Sequence, residues 1–439
     1  MKRVMVVGGM DPSGIAGISA DIRALSSLGI AAAPVATGTV LETSERVEEI
    51  IPSDPKVVAR AIGCVVDDGE PAAVKIGMLY SAACARVVAK ELEDLECPVV
   101  VDPVLSASVG TRLGEPGLAE ALVDHVFDVA DLVTPNANEL EALSGMKVKN
   151  LDAALFAANS LMLRGGPGAI LVKGGHLKGK LAADLLVEPK RVTEFASPRL
   201  SIKGLRGLGC TYASLIAGHL AMGEGLRDSI GQAKDRLHSS LEHAQPVGKA
   251  VALNPMERVV AGSEKHRTVE ELRAALPELL NALVPGLMPE VGNNIAYALW
   301  GATGLDDVCG LDSRIVLKGD RAATVGTPAF GASRHMGRVV LTAMEYDPAM
   351  RCVLNLRFSK ETLDAAKKVG LTVASFDRKD EPKSAKTMAW GTAEAIKGKG
   401  LVPDVIWDSG GHGKEAMLRL LARNPADLVN KVRQIARWL

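Results

Sequence analysis

Four short apolar runs, "RVMVVG" (3–8), "AVKIG" (73–77), "PVVVD" (98–102) and "GAILVK" (168–173), punctuate the first 245 residues. Each is too continuous for a strand with one wet face and too short and β-branched for a helix, so each reads as a strand buried on both sides. Segments of helical spacing separate them, at about 15–28, 54–67, 81–93, 115–125 and 150–163, with two more at about 210–222 and 225–244. Repeated strand–helix–strand order leaves few topologies. The expectation is an α/β fold, a mainly parallel sheet with helices on both faces.

The texture then changes. Residues 243–272 mix proline, glycine and charge without a period, which places a linker over 251–267 between a domain of residues 1–250 and a second of 268–439. In the second, "SRIVLK" (313–318), "RCVLNLRF" (351–358), "LTVASF" (371–376) and "PDVIWD" (403–408) read as strands, with helices between and a last helix near 427–438. A second, smaller α/β domain follows from that pattern.

Bulk properties exclude several functions. The 439 residues are 47% hydrophobic with a formal net charge of −1, so no basic field awaits nucleic acid or an acidic membrane. Aromatics at 3% are too few for base-stacking platforms. No apolar run reaches membrane-spanning length, and "MKRVMVVGG" reads as a first strand rather than a signal peptide. The six cysteines form no C-x-x-C pair, which leaves zinc ribbons and thioredoxin chemistry unsupported and points to a reduced, cytoplasmic enzyme.

Ligands of open α/β sheets sit beyond the carboxyl ends of the strands. There the sequence places "GGMDPSGIAG" (8–17), "IGM" (76–78), "DPV" (102–104) and "KGGH" (173–176), while "RGLGCT" (206–211) runs from close-set glycines into an apolar helix. Such a loop brings backbone N–H groups to an anion at the positive end of a helix. Read as phosphoryl transfer, Asp102 and Glu139 are hard oxygen donors for Mg²⁺ or its waters, Lys173 suits a nucleotide phosphate, and Asp21 suits a polar substrate. Taken singly, Asp102 also fits a turn before Pro103, Glu139 a first-turn helix residue, and Asp21 a solvated helix carboxylate.

In combination, "DPSGIAGISAD", "KIGM", "VDPV", "TPNANEL", "VKGGH" and "GLGCT" resemble the hydroxymethylpyrimidine/phosphomethylpyrimidine kinases of thiamine biosynthesis, within the ribokinase superfamily. The resemblance covers about residues 1–255. It implies a ribokinase-like sheet and phosphorylation, with ATP and Mg²⁺, of 4-amino-5-hydroxymethyl-2-methylpyrimidine and then of its monophosphate. It assigns the pyrimidine pocket to Gly9, Asp21, Glu42, Gly77 and Met78 and sets Asn136 and Glu139 near the metal, beside the Asp102 read above; Lys173, Gly207, Gly209 and Thr211 remain the phosphate contacts read from the loops. It also makes Cys210 the catalytic group where most ribokinase-like enzymes have Asp. A thiol at a helix N-terminus is expected to have a lowered pKa and to serve as thiolate base. Leu205, Arg206 and Leu208 depart from the family's more polar loop, and Arg206 is expected to supply replacement charge for the nucleotide.

In the second half, "SGGHGKEAM" repeats the strand–glycine loop–helix logic with Lys414, and "GASRHMGR" sets Arg334, His335 and Arg338 at another helix start. No third ligand has zinc spacing relative to His335 and His412. These motifs resemble the non-barrel thiamine-phosphate synthase domain found behind such kinases. That implies joining the pyrimidine pyrophosphate to thiazole phosphate, with Arg314 and His335 foremost, Lys318, Arg334 and Lys414 on phosphate, and Asp408 anchoring the loop or a Mg²⁺. Pyridoxal as kinase substrate, and a second half that only senses thiamine phosphate, are the alternatives. The partners implied are small molecules, neither nucleic acid nor membrane, with a homodimer carried over from kinases of this fold.

Overall fold

The structure, a computed structural model, describes all residues except 44, 108–109, 165, 177–178, 381–386 and 412–414. The chain forms two compact units, Met1–Val259 and Val260–Leu439.

Unit 1 contains β1 (Arg3–Met10), α1 (Gly17–Ser26), β2 (Ala31–Glu42), β3 (Val47–Pro52), α2 (Pro55–Asp67), β4 (Ala73–Ile76), α3 (Ala82–Leu92), β5 (Val99–Val101), α4 (Leu118–Ala121), β6 (Leu132–Val133), α5 (Ala137–Ser144), α6 (Leu151–Leu163), β7 (Ala169–Val172), β8 (Leu181–Glu188), β9 (Arg191–Pro198), β10 (Leu205–Arg206), α7 (Leu208–Ala221), α8 (Leu226–Glu242), β11 (Gln245–Val247) and β12 (Ala250–Ala252). Nine strands form one sheet in the order β3-β2-β1-β4-β5-β6-β7-β8-β9. From β2 through β7 the pairing is parallel; β3, β8 and β9 join antiparallel at the edges. Val4 and Val6 pack on one face of the sheet and Met5 and Val7 on the other, both against helices. That two-sided burial is why β1 reads as an unbroken apolar run. The alanine-rich β2 gives no such signal. Its Pro34 is tolerated because that part of β2 pairs with β1 alone, and β3 joins only from Gly38 onward.

Helix α9 (Glu257–Ala282) occupies much of the expected linker. Thr268, Leu272, Leu279 and Ala282 make a narrow buried stripe, and Pro277 lies within the helix. Sparse apolar spacing and an internal proline concealed it. Unit 2 then follows with β13 (Ile295–Ala298), β14 (Val308–Leu311), β15 (Val316–Lys318), β16 (Arg321–Ala323), β17 (Pro328–Phe330), α10 (Arg334–Tyr346), β18 (Cys352–Arg357), α11 (Lys360–Lys368), β19 (Val373–Ser375), α12 (Thr387–Lys399), β20 (Val405–Asp408), β21 (Met417–Ala422) and α13 (Pro425–Ala436). Seven strands take the order β17-β14-β13-β18-β21-β20-β19, antiparallel except between β19 and β20.

Two expectations fail in unit 2. "SRIVLK" contributes β15 to a separate two-stranded hairpin with β16, not to the main sheet. The glycine loop after β20 leads into strand β21, so among the described residues no helix N-terminus follows it to face a phosphate. Leu418 and Leu420 face one side of the sheet and Leu421 the other, a period of two that the run "AMLRLLA" hides.

Candidate active site

In unit 1 the carboxyl ends of the parallel strands open into a cavity of about 650 Å³. Gly9, Asp21, Glu42, Gly77, Met78, Asp102, Asn136, Glu139, Lys173, Gly207, Gly209 and Cys210 all line it. Thr211 does not: it is buried in the first turn of α7, its N–H bonded to Gly207 O at 3.0 Å.

Two glycines shape the anion cradle. Gly207 caps α7 at φ 76°, and a Cβ there would lie 2.1 Å from Ile15 O. Only glycine meets both conditions. At Gly209 a Cβ would stand 3.2 Å from an Asp102 carboxylate oxygen and 3.3 Å from Lys173 Nζ. Its bare backbone therefore leaves the space between helix start and ion pair open.

Beneath the cradle lie two buried charge clusters. Lys75 Nζ donates to Asp21 at 3.0 Å, and Ser214 Oγ, one turn beyond Cys210, donates to the same carboxylate at 2.8 Å. Burial pushes the Asp21 carboxyl up, against Lys75 and Ser214. Burial also works against the Lys75 charge, yet Asp21 and the neighbouring acids hold it above its usual value. Asp21 thus spends both oxygens inside the protein rather than facing substrate alone. Lys75 escaped the sequence reading, although a lysine inside "AVKIG", where every neighbour is apolar, was the available signal. In the second cluster Lys173 Nζ lies 2.5 Å from Asp102 and 3.9 Å from Glu139. Asn136 and Glu139 cap α5 reciprocally at 3.0 and 2.7 Å. Burial lifts the Glu139 carboxyl to about 7, against the pull of Lys173.

The thiolate expected at Cys210 is overturned. Burial pushes its thiol up to about 12; Lys75 pulls down, while Asp21 and Asp102 push up further. The helix N-terminus alone does not outweigh loss of water beside two carboxylates. Arg206 is also reassigned. It donates to Thr43 O at 2.8 Å and pairs with Glu42, tying the pyrimidine-pocket glutamate to the glycine loop instead of reaching for nucleotide. At another part of the cavity wall, Asp184 accepts from Gly174 N–H at 2.9 Å and from Lys234 Nζ at 2.6 Å, with Lys234 over the Tyr212 ring. Neither Asp184 nor Lys234 belongs to a motif the sequence offered.

In unit 2, Arg334 and His335 open α10 and are exposed. Partial loss of water, then the charges of Arg338 and Arg314, lower the His335 pKa. Arg314 also lies beside Gly292, where a Cβ would meet its own Cβ at 3.1 Å. Lys318 is exposed in the β15–β16 hairpin, and Lys414 lies outside the described residues. Asp408 is wholly buried, accepting from Arg378, from Arg419 at 2.8 Å and from Gly410 N–H at 2.9 Å. It anchors arginines and a loop. Burial opposes its charge, but Arg378 and Arg419 outweigh that and hold the carboxyl below its usual range.

Among the described residues, no three His, Cys, Asp or Glu side chains cluster as a metal cage. Asp102, Glu139 and the Asn136 amide, all lining one cavity, fit a cation that keeps most of its waters and takes the rest of its shell from phosphate oxygens.

Comparison with known proteins gives the following. The phosphomethylpyrimidine kinase family model matches residues 11–255, and that of thiamine-phosphate synthase ThiN matches residues 271–434. A bifunctional thiamine biosynthesis protein ThiDN of Methanocaldococcus jannaschii is 31% identical over 434 residues, 98% of each chain. A hydroxymethylpyrimidine/phosphomethylpyrimidine kinase of Aquifex aeolicus is 34% identical over 244 residues, 55% of this chain and 95% of the relative. Among solved structures, an ADP complex of Bacillus subtilis pyridoxal kinase is similar at 25% identity and TM-score 0.54, over 58% of this chain and 97% of its own.

Proposed function

The chain belongs to the phosphomethylpyrimidine kinase family, with a thiamine-phosphate synthase segment behind it, and from that premise we propose how its residues divide the chemistry. Unit 1 phosphorylates 4-amino-5-hydroxymethyl-2-methylpyrimidine with ATP, then phosphorylates the monophosphate. Unit 2 joins the resulting pyrophosphate to thiazole phosphate and releases pyrophosphate. The observation that carries the reading is that Gly9, Glu42, Gly77 and Met78 line the same cavity as the Gly207–Cys210 helix start and the Asp102–Lys173 pair.

In each kinase turn an acceptor oxygen attacks the γ-phosphorus and the bond to ADP breaks. The protein's task is placement and charge. Gly207 and Gly209 let backbone N–H groups meet the phosphates, and Arg206 fixes Glu42 to hold the pyrimidine. Asp102 and Glu139 would hold a Mg²⁺ through its waters, which when bound neutralises phosphate charge. Cys210 is a protonated thiol at neutral pH. In the first turn the alcohol therefore loses its proton late, to a transferred phosphoryl oxygen. In the second turn the acceptor is already a phosphate, and a neutral thiol repels it less than the carboxylate of related kinases would. In unit 2, Arg314, Arg334 and Arg338 around His335 stabilise the departing pyrophosphate as the CH₂–O bond breaks.

We place the protein in the cytoplasm as a homodimer, which sedimentation of the purified chain tests. The decisive experiment supplies the pyrimidine alcohol, thiazole phosphate, ATP and Mg²⁺ and follows products by mass spectrometry. Thiamine phosphate formed without other enzymes supports both activities. Pyrimidine pyrophosphate alone reduces unit 2 to a sensor. The likeness to a pyridoxal kinase favours a second substrate reading for unit 1, and turnover of pyridoxal with none of the pyrimidine would replace the first.

A further inference from the structure

A polar row in unit 2 takes no part in the chemistry assigned to Arg314 and His335. Ala296, Ala298, Val353, Ile406 and Leu421 pack in a single cluster with Val339 and Val340 of α10 and Ala395 and Ile396 of α12. Side chains alternate along strands, so Asn294, Asn355, Asp408 and Arg419 face that same side. Asn355 pairs with Arg419, Asn294 N–H donates to Asn355 Oδ1 at 2.6 Å, and Asp408, two residues along β20 from Ile406 opposite Arg419, accepts diagonally from Arg419. The row crosses β13, β18, β21 and β20 at the sheet end where α10 begins, since Gly310 of β14, beside Ile295 O, abuts Ser333 just before that helix.

Charge is unbalanced at one end of the row. Among the described residues, Asp408 is the single carboxylate that pairs with Arg378 and Arg419. Arg419 is 1% exposed, and its Nη1 has no hydrogen-bond partner among the described residues. A buried guanidinium N–H left unpaired beside a surplus positive charge is costly unless an anion completes it. Arg378 pairs with the same carboxylate and is the outer of the two arginines, its side chain 12% exposed against 2% for Arg419. Arg334 and His335 follow Ser333, which abuts Gly310 of β14, whereas Asp408 ends β20, four strands away. At about 4.8 Å per strand those two strands are roughly 19 Å apart.

We propose that Arg378 and Arg419, oriented by Asp408, form a second anion subsite that takes the phosphate monoester of the thiazole substrate, opposite the pyrophosphate subsite at Arg314 and His335. The assignment rests on the condensing role of unit 2. Arg419 offers its free N–H and Arg378 the outer charge, a fork suited to phosphate oxygens.

All four tryptophans, Trp300, Trp390, Trp407 and Trp438, lie in unit 2, and Trp407 precedes Asp408. Tryptophan fluorescence of the full chain therefore reports inorganic phosphate binding to unit 2 without interference from the kinase cradle. The wild type should show a saturable change, weakened at least tenfold in Arg378→Gln and in Arg419→Lys. In condensation, KM for thiazole phosphate should rise at least tenfold in both, with KM for the pyrimidine pyrophosphate within twofold of wild type. Kinase activity and the far-ultraviolet spectrum check folding; if Arg419→Lys fails them, the outer Arg378→Gln decides. An unchanged phosphate affinity in Arg378→Gln, no saturable response in the wild type, or a rise confined to the pyrimidine KM overturns the proposal. Should no variant and no wild type make thiamine phosphate, the condensing role fails, while the phosphate titration still tests the subsite.

Discussion

Replacing Lys75 by methionine removes one half of a pair whose side chains are 1% and 0% exposed. Methionine keeps most of the volume, so packing changes little and the loss is electrostatic. Asp21 would then keep only Ser214 Oγ as donor. Breaking such a buried pair from one side costs about 3–5 kcal/mol. Asp21→Asn strands the Lys75 ammonium and should cost a similar amount. If the two were independent, the double variant would lose about 6–10 kcal/mol. In the structure it strands only a neutral amide N–H, a cost of about 1–3 kcal/mol, because the amide oxygen introduced at position 21 would still accept from Ser214. The double-mutant cycle should therefore show a coupling of at least about 3 kcal/mol. Urea unfolding of the full chain, followed by far-ultraviolet circular dichroism, measures it. The tryptophan signal, confined to unit 2, should keep its midpoint in all variants. Additivity to within about 0.5 kcal/mol would refute the pairing of Lys75 with Asp21.

Other consequences separate the parts of the site. Gly207→Ala should destabilise unit 1 by at least about 1 kcal/mol, since it forces Cβ onto Ile15 O at positive φ; equal melting of variant and wild type would contradict that. Gly209→Ala lies inside α7 at ordinary helical φ, where the helix gain is offset by a Cβ 3.2 Å from Asp102, so stability should change little while kcat/KM for ATP falls roughly 10–100-fold, as expected when a group intrudes on a phosphate cradle. Burial raises Glu139 to about 7, so Mg²⁺ affinity should weaken as pH falls below 7 and level off above it, because the proton removes the charge that attracts the ion's waters. Glu139→Gln should flatten that profile. The same raised carboxyl means that folding stability falls as pH climbs from about 4.5 to 7, because the folded state holds the proton longer. In unit 2, Arg338→Gln should raise the His335 titration midpoint, read by NMR; an unmoved midpoint would place Arg338 away from the imidazole.

Much of unit 1 was legible because its information is local. Val4 through Val7 are apolar without a break since both faces of β1 are covered, and the glycines of 207–209 announce a strand turning into a helix. What depended on distant partners was not legible. Lys75 is explained only by Asp21, 54 residues away, and Arg206 by Glu42 across 164. The dipole argument for a thiolate at Cys210 used the local helix start; the burial and the two carboxylates that reverse it come from α1 and the end of β5. In β21, "AMLRLLA" fits either period. The choice is made by Asp408 and Asn355, which take Arg419 into the sheet.

A sulfur at the heart of an active site is ordinarily its weak point, since peroxide and alkylating reagents attack the thiolate. At Cys210 the thiol is pushed up to about 12, and at neutral pH only about one molecule in 10⁵ is ionised there. The exposed Cys64 should react first with iodoacetamide. Kinase activity should accordingly outlast the alkylation of Cys64, and parallel loss of the two would place a standing thiolate at Cys210.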